Sequence, residues 1–571
     1  MTSSTGLKDD QRTQSEVSDT STTSTSEQPT QQQNASEKLA NKQTKTATAE
    51  TDSKYAAVVI VASLLVVFLV SLDRSIIATA IPRITDEFDS LNDIGWYGSA
   101  FLLTASCFQL LIGRIYTFYP AKYVFMVCIT LFEVGSAICG AAPNSKAFIL
   151  GRAVAGLGLA GIQNGGIAIV IPLVPLPKRP VFQGFFGAVL GLGQVVGPLI
   201  GGALTSDVSW RWCFYINLPV GGLAIVVLLF VLRPAPAPRP GLAVKEQLKQ
   251  LDLLGELFLF PSIVCLLLAL QWGGSTYSWS NGRVIALLFV FAVCLIGFVL
   301  VQICMQKTAT IPKRVVKNRS IVAAMFMAFG NGASFTTVLY YVPVWFQAIK
   351  NNSAKTSGVH LIPMVLSVTL ASIFAGIMTK KIGYYTPFAI AGALLSSIGT
   401  GLISTWTVDT GMPRWIGYQV VFGLGVGMVL QQPNLTAQTV LEGKDVQIGV
   451  SLVMLHQLLG GAVFVSVAQA VLDSSLIHGL QKAVKGGITP AMVVGTGATE
   501  LRNIVPKTDL PSVLVAYNHA IRNVFVVCIC LTCLSFVGAA TLEWRSVKGK
   551  QGPTTKKPDE EEGTGEKSGA S

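Results

Sequence analysis

Apolar residues do not alternate along this chain; they run. From residue 56 onward, stretches of mostly apolar positions recur between short polar gaps. A bilayer core of about 30 Å takes about 20 residues of α-helix. Fourteen stretches meet that length: 56–81, 94–115, 122–142, 147–171, 183–203, 213–232, 253–272, 284–305, 321–346, 358–378, 386–406, 414–436, 449–471 and 521–542. Strands of a membrane barrel would be half as long and alternating. The pattern predicts an all-α membrane protein with fourteen transmembrane helices.

Composition strengthens that reading. Of 571 residues, 51% are hydrophobic and only 13% charged, about half the share in an ordinary soluble chain, and mean hydropathy is +0.56. A soluble enzyme is excluded. The net charge of +12 would fit a nucleic-acid partner, but the excess lies in residues 55–544, with 30 basic against 17 acidic side chains scattered through the gaps. Lipid is the partner that such a distribution fits, and no nucleic acid is expected. Positive residues collect on the cytosolic side of short loops. If the amino terminus is cytosolic, the inner gaps hold sixteen Lys and Arg, among them Arg114, Lys122, Lys178, Arg239, Lys307, Arg314, Lys380 and Lys444, and the outer gaps hold seven. Both termini are therefore expected in the cytosol.

The richest basic loops flank the seventh and eighth spans, which divides the helices as 6+2+6. The expected organisation is a disordered cytosolic tail (1–54), a six-helix half (55–235), two additional helices with a linker (236–310), a second six-helix half (311–544) with a long outer loop (472–520), and a disordered cytosolic tail (545–571). No cleavable leader is expected before the first span. A faint repeat links Gly113-Arg-Ile-Tyr-Thr-Phe-Tyr-Pro-Ala-Lys122 after span two to Gly376-Ile-Met-Thr-Lys380-Lys381-Ile-Gly383 after span ten. Two related halves around a cavity is a transporter architecture.

Charges inside spans are expensive unless they face a cavity or a partner. Asp73 in span one lies about 12 Å below the outer face, and Arg152 in span four about 8–9 Å, at 1.5 Å per residue. Similar depth allows one hydrated chamber. A carboxylate in a chamber that opens to each side in turn is suited to take up and release a proton; the plainer reading makes these residues interhelical glue, or has Arg74 and Arg152 snorkel outward. Glu133 in span three is a weaker candidate. Span five carries Gly193-Gln-Val-Val-Gly197-Pro198-Leu-Ile-Gly201-Gly202: glycines four apart form a flat face for close helix approach, and Pro198 removes a backbone hydrogen bond. Trp210 and Trp212 fit an interfacial belt. Gln163, Asn164, Gln194, Asn217, Asn331, Tyr340, Tyr341, Gln431, His456 and Gln457 are candidate cavity residues, suited as a set to bulky neutral or amphipathic solutes. Asn351-Asn-Ser353 in a short outer loop is a glycosylation candidate, whereas Asn34-Ala-Ser36 on the cytosolic side should stay bare. All ten cysteines sit inside apolar runs, including Cys528, Cys530 and Cys533; small-hydrophobe packing is expected of them, with no metal and no cofactor.

These strings carry a resemblance. The chain resembles the major facilitator superfamily over about residues 55–545, and within it the fourteen-span drug:proton antiporter family, particularly fungal members that export toxins and secondary metabolites. Leu72-Asp73-Arg74-Ser75-Ile76-Ile77-Ala78-Thr79-Ala80-Ile81-Pro82 is similar to that family's span-one motif. Arg152 and Gly156 are similar to its span-four motif, and 193–202 to its antiporter motif. Gly113 and Lys122 fit the superfamily's inner-loop signature, but Thr117 stands where that pattern has an acid and Pro120 where it has glycine. Tyr340-Tyr341-Val-Pro343, Ser357-Gly358 and Pro363 also look fungal. The resemblance implies a major-facilitator-type bundle, proton coupling at Asp73 and Arg152, gating at Gly193, Gly197, Pro198, Gly201 and Gly202, and outward export of a hydrophobic or amphipathic molecule powered by a proton gradient. A monomer in the plasma membrane is expected, with the vacuolar membrane as the other address. A proton-coupled importer of iron–siderophore complexes and a non-transporting receptor or scaffold stay open as alternatives. A membrane enzyme is not expected, since His360, His456, His478 and His519 do not cluster with carboxylates or a nucleophile.

Overall fold

The computed structural model describes residues 28–90, 93–234, 244–274, 277–306, 308–483, 505, 506 and 508–548. The expectations for 1–27 and 549–571, for Arg239 and Lys307, and for the middle of the outer loop at 484–504 lie outside the described residues. Two units are distinguished, Met1–Val58 and Val59–Ser571; the packing below is that of the second.

Every regular element of the described residues is helical, apart from two isolated bridges. The first unit and the start of the second are threaded by α1, Gln28–Phe88. Its start differs from the expectation of a disordered tail to residue 54. Ala35, Glu37, Lys38, Leu39 and Ala40 are good helix formers, and polarity alone does not stop a helix. There follow α2 (Ile94–Phe118), α3 (Ala121–Ala141), α4 (Ser145–Leu173), α5 (Arg179–Asp207), the short α6 (Trp212–Tyr215), and α7 (Asn217–Val231). A connecting α8 (Val244–Gln250) leads to α9 (Leu253–Trp272) and α10 (Gly282–Cys304). The remainder comprises α11 (Lys313–Val316), α12 (Arg319–Ala348), α13 (Ala354–Val359), α14 (Ile362–Ile382), α15 (Thr386–Ile403), α16 (Met412–Val429), α17 (Gln432–Val440), α18 (Lys444–Ala483) and α19 (Leu510–Ala540).

Among the described residues, thirteen helices are long and apolar enough to cross a membrane. The stretch read as one span at 414–436 is the difference. It is broken at Leu430 and Gln431 and restarts as α17, where Pro433 has no N–H to offer the Val429 carbonyl four residues back and its ring crowds that carbonyl. The outer loop at 472–520 is shorter than expected as well. Leu472, Leu476 and Leu480 recur every fourth position and are buried in one cluster with Val513 and Tyr517, so α18 and α19 continue beyond their apolar spans as a paired amphipathic extension.

Local signals set the helix ends. The side chain of Asn144 accepts from Ala147 N at 2.9 Å and opens α4; Asn281, Asn318 and Ser353 do the same for α10, α12 and α13. Gly383 closes α14 at φ 95°, the left-handed geometry that glycine adopts without strain.

Helices α3, α4 and α7 pack together with α2, and α12 packs with α18 and α19. Across the two groups, α2 meets α18 and α5 meets α14. The α9–α10 pair lies against α2 and α18, beside that seam. Asp252, 3% exposed, fastens it: its carboxylate accepts from Gly255 N (3.0 Å), Gln302 Nε2 (2.6 Å), Thr310 N (2.9 Å) and Thr310 Oγ1 (3.0 Å). Large exposed apolar side chains such as Leu257, Phe289 and Phe230 face outward, as lipid contact requires.

Candidate functional site

Asp73 on α1 and Arg152 on α4 meet. Nη1 of Arg152 donates to Asp73 Oδ2 at 2.6 Å, with the two side chains 0% and 1% exposed. The other carboxylate oxygen accepts from Asn217 Nδ2 at 3.2 Å, and the same amide reaches Ser136 Oγ at 3.2 Å. Nε of Arg152 donates to the Tyr97 carbonyl at 3.0 Å, and its guanidinium lies 4.3 Å from the Phe101 ring centroid. Four helices and α1 thus converge on one desolvated ion pair. A buried pair is weak evidence for stability, since desolvation cancels much of the attraction, but removing one partner strands the other at a cost of about 3–5 kcal/mol. Arg152 does not snorkel. Glu133 on α3 is buried beside α7, and both its oxygens lack a hydrogen-bond partner among the described residues.

The same length of α1 turns another face to α5. Ser71 Oγ donates to the Leu190 carbonyl at 2.6 Å, and Ser75 Oγ to the Gly193 carbonyl at 2.9 Å. Such closeness needs glycine. A methyl group at Gly193 would come within 2.6 Å of Ser71 Cβ, and one at Gly201 within 2.4 Å of Thr79 Oγ1. Gly202 is different: nothing lies within 4 Å of the added atom, because one residue further along turns the position about 100° away. Gly202 therefore leaves the α1 contact set. Pro198, between these glycines, approaches Gly358 on α13.

Gly113 and Gly376, singled out by the repeat, occupy matching contacts between the two groups of helices. An added Cβ at Gly113 would fall 1.9 Å from Ser451 Oγ on α18, and one at Gly376 2.4 Å from the Pro180 carbonyl on α5. Ser451 Oγ donates to Asn164 Oδ1 at 2.8 Å, and Ser372 Oγ to the Gly184 carbonyl at 3.0 Å. Lys122 donates to the Leu229 carbonyl at 2.7 Å near the end of α7. Thr117, in the acid's place, donates to the Arg114 carbonyl at 2.7 Å.

Between the two groups lies a partly enclosed cavity with about 620 Å³ of unfilled space including its mouth. Gln163, Gln194, Gln431 and Gln457 line it, as expected. The other candidates are placed elsewhere. Asn164 bridges α2, α4 and α18, donating to the Gln109 carbonyl at 3.1 Å; Asn217 belongs to the ion-pair network. Asn331 is buried but does not line the cavity. Tyr341 is buried and donates to Gln469 at 3.1 Å, while Tyr340 is 54% exposed beside it. Ring nitrogen Nδ1 of His456 pairs with its own helix's Leu452 carbonyl at 2.8 Å. Arg74, Phe186, Phe335, Thr336 and Asn434 line the cavity without having been expected to. Trp210 is likewise corrected: it is 4% exposed, donating to Glu87 Oε2 at 2.6 Å and packed edge-on against Phe148 and Phe214, while Trp212 is 51% exposed.

The sequence profile of the Major Facilitator Superfamily matches residues 63–465. The chain is 50% identical over 496 residues to the MFS-type efflux pump MFS1 of Trichophyton rubrum, covering 87% of this chain and 92% of the pump. It is 48% identical to the efflux pump aflT of Aspergillus parasiticus (86% and 96% covered) and 46% identical to the rubrofusarin-specific efflux pump aurT of Gibberella zeae (87% and 90%). Among solved structures, the proton:xylose symporter XylE superposes with a TM-score of 0.54 at 14% identity, over 84% of this chain and 95% of that one, and human MFSD10 with 0.52 at 14%, over 84% and 99%. At that identity the likeness is one of fold. With helices long enough to cross a bilayer, a cavity of mixed polar and apolar lining between two helix groups and this match in sequence, the chain belongs to the major facilitator superfamily, as a multi-pass membrane transporter and not an enzyme.

Proposed function

We propose that this transporter exports a hydrophobic or amphipathic secondary metabolite or toxin in exchange for protons. The buried Asp73–Arg152 pair carries the reading, because it couples a titratable group to helix packing. A proton arriving on Asp73 cancels the charge that Arg152 holds. Arg152 keeps the Tyr97 carbonyl and the Phe101 face, so α1 is the partner released. Since α1 also packs against the glycine face of α5, and α5 meets α14, a shift of α1 is passed to the contact between the two groups of helices. The cost of stranding one partner, about 3–5 kcal/mol, is of the size needed to move a two-state equilibrium almost fully.

Export rather than import is supported by the efflux pumps among relatives at 46–50% identity and by the uninterrupted 193–202 string. In this account both termini face the cytosol, Asn351 carries glycan on the outer side, and the protein works as a monomer in the plasma membrane. The test is Asp73→Asn in vesicles from cells expressing the chain. Its gradient-driven export should vanish while the protein still reaches the membrane; undiminished export would remove Asp73 from coupling.

A further inference from the structure

Arg74 follows Asp73 on α1, and one residue of helix turns a side chain by about 100°. Asp73 therefore meets Arg152 while Arg74 lines the central cavity. Its Nη2 lies 3.4 Å from Thr336 Oγ1 on α12, a long contact for a group with five N–H donors. Among the described residues, no carboxylate forms an ion pair with it, and no acidic side chain lines the cavity. The polar remainder of the lining is neutral: amides on α4, α5, α17 and α18 and at the break before α17, and one hydroxyl. A permanent cation placed among membrane-spanning helices is costly unless something answers its charge, and none of the described carboxylates pairs with this one.

The geometry points to the cargo as the source of that anion: the cavity takes weakly acidic organic molecules in their ionised form, a carboxylate or an ionised phenol or enol on an aromatic or polycyclic body, and Arg74 selects them. A guanidinium offers two parallel donors to such oxygens. Phe186 and Phe335, with Leu190, Leu430 and Met454, supply apolar surface for the body, and the amides tolerate its hydroxyl and carbonyl groups without demanding any one pattern. This narrows the proposed efflux to a substrate class, and it rests on the central cavity being the cargo's site. Thr336 then acts as a positioning residue that holds the guanidinium toward the cavity.

The test is equilibrium binding to the full-length protein in lipid nanodiscs, near neutral pH and with no ion gradient, after subtraction of empty discs. The probes are pyrene butyrate, anthracene carboxylate and naphthoate, each beside its uncharged methyl ester. At least one acid should bind about tenfold or more tightly than its ester, the scale of a charge-assisted hydrogen-bonded contact. Arg74→Gln should bring acid and ester within about twofold by weakening the acid alone, and Arg74→Lys should keep part of the preference. No acid preference in the unaltered protein for any pair would overturn the inference, whatever the variants do. So would an acid preference that survives Arg74→Gln. Because no gradient is used, the outcome is independent of export: acid preference without gradient-driven export defeats the efflux reading alone, and export without acid preference defeats this one alone.

Discussion

Gly197 and Gly202 lie on the same helix within five residues of each other, and the structure assigns them opposite fates on substitution. An alanine Cβ at Gly197 would stand 1.9 Å from Ser75 Oγ and 3.0 Å from both Ser75 Cβ and Ile76 N. Rotating the serine hydroxyl away removes the first conflict, but it breaks the 2.9 Å bond to the Gly193 carbonyl. The backbone conflict stays. Ordinary carbon contacts are about 3.5–4.0 Å, so α1 and α5 must separate by several tenths of an ångström. Overpacking of that kind costs about 1–3 kcal/mol, and a lost hydrogen bond adds about 1 kcal/mol, giving about 2–4 kcal/mol for Gly197→Ala. At Gly202 the added methyl meets nothing within 4 Å, and better helix propensity is worth up to about 1 kcal/mol in its favour. Thermal unfolding in detergent and initial transport rates in proteoliposomes read both. Gly197→Ala should melt lower and transport slowly, while Gly202→Ala should match the unaltered protein. Equal behaviour of the two variants would refute the one-faced contact between α1 and α5.

Other consequences are open to direct measurement. Asp252→Ala strips the acceptor from Gly255 N, Gln302 Nε2 and both donors of Thr310. A loss of about 3 kcal/mol should appear as a lower melting temperature, and an unchanged one would show that the α9–α10 pair is held elsewhere. Pro198→Ala restores a backbone donor inside α5 and should reduce turnover more than cargo affinity; equal losses in both would make the proline a packing residue. Asn351 is exposed, at φ 58°, and Asn351→Gln should remove an endoglycosidase-sensitive mass, whereas Asn34→Gln should leave mobility unaltered.

How much was legible beforehand depended on whether a feature is set by one helix or by several. Helix lengths follow from runs of apolar residues, and the shared depth of Asp73 and Arg152 follows from counting 1.5 Å per residue; the dry surroundings of the pair, in place of a hydrated chamber, do not. The spacing of Gly193, Gly197 and Gly201 marks one face for the same reason, and the angular step of one residue would have excluded Gly202. Leu472, Leu476 and Leu480 also carried a readable period, hidden because Asp473, Ser474 and His478 lower the hydropathy of the extension of α18. Orientation against a neighbour is another matter. Arg74 and Trp210 look like surface-seeking side chains in sequence, and only the placement of α12 beside one, and of Glu87 with Phe148 beside the other, turns them inward. Tyr340 and Tyr341 are adjacent in sequence yet sit in different surroundings, as helical neighbours must. The break at Leu430 had a signal in Pro433, outweighed by the apolar run before it.

The proposed proton-driven export requires a carboxylate whose protonation moves α1. The most direct measurement is cargo movement against its own concentration gradient in proteoliposomes holding the unaltered protein, with a pH gradient imposed and then collapsed by a protonophore. Uphill movement that stops on collapse, and that is absent from the start with Asp73→Asn, is the predicted result. Uphill movement that continues undiminished without the gradient would contradict proton-driven export.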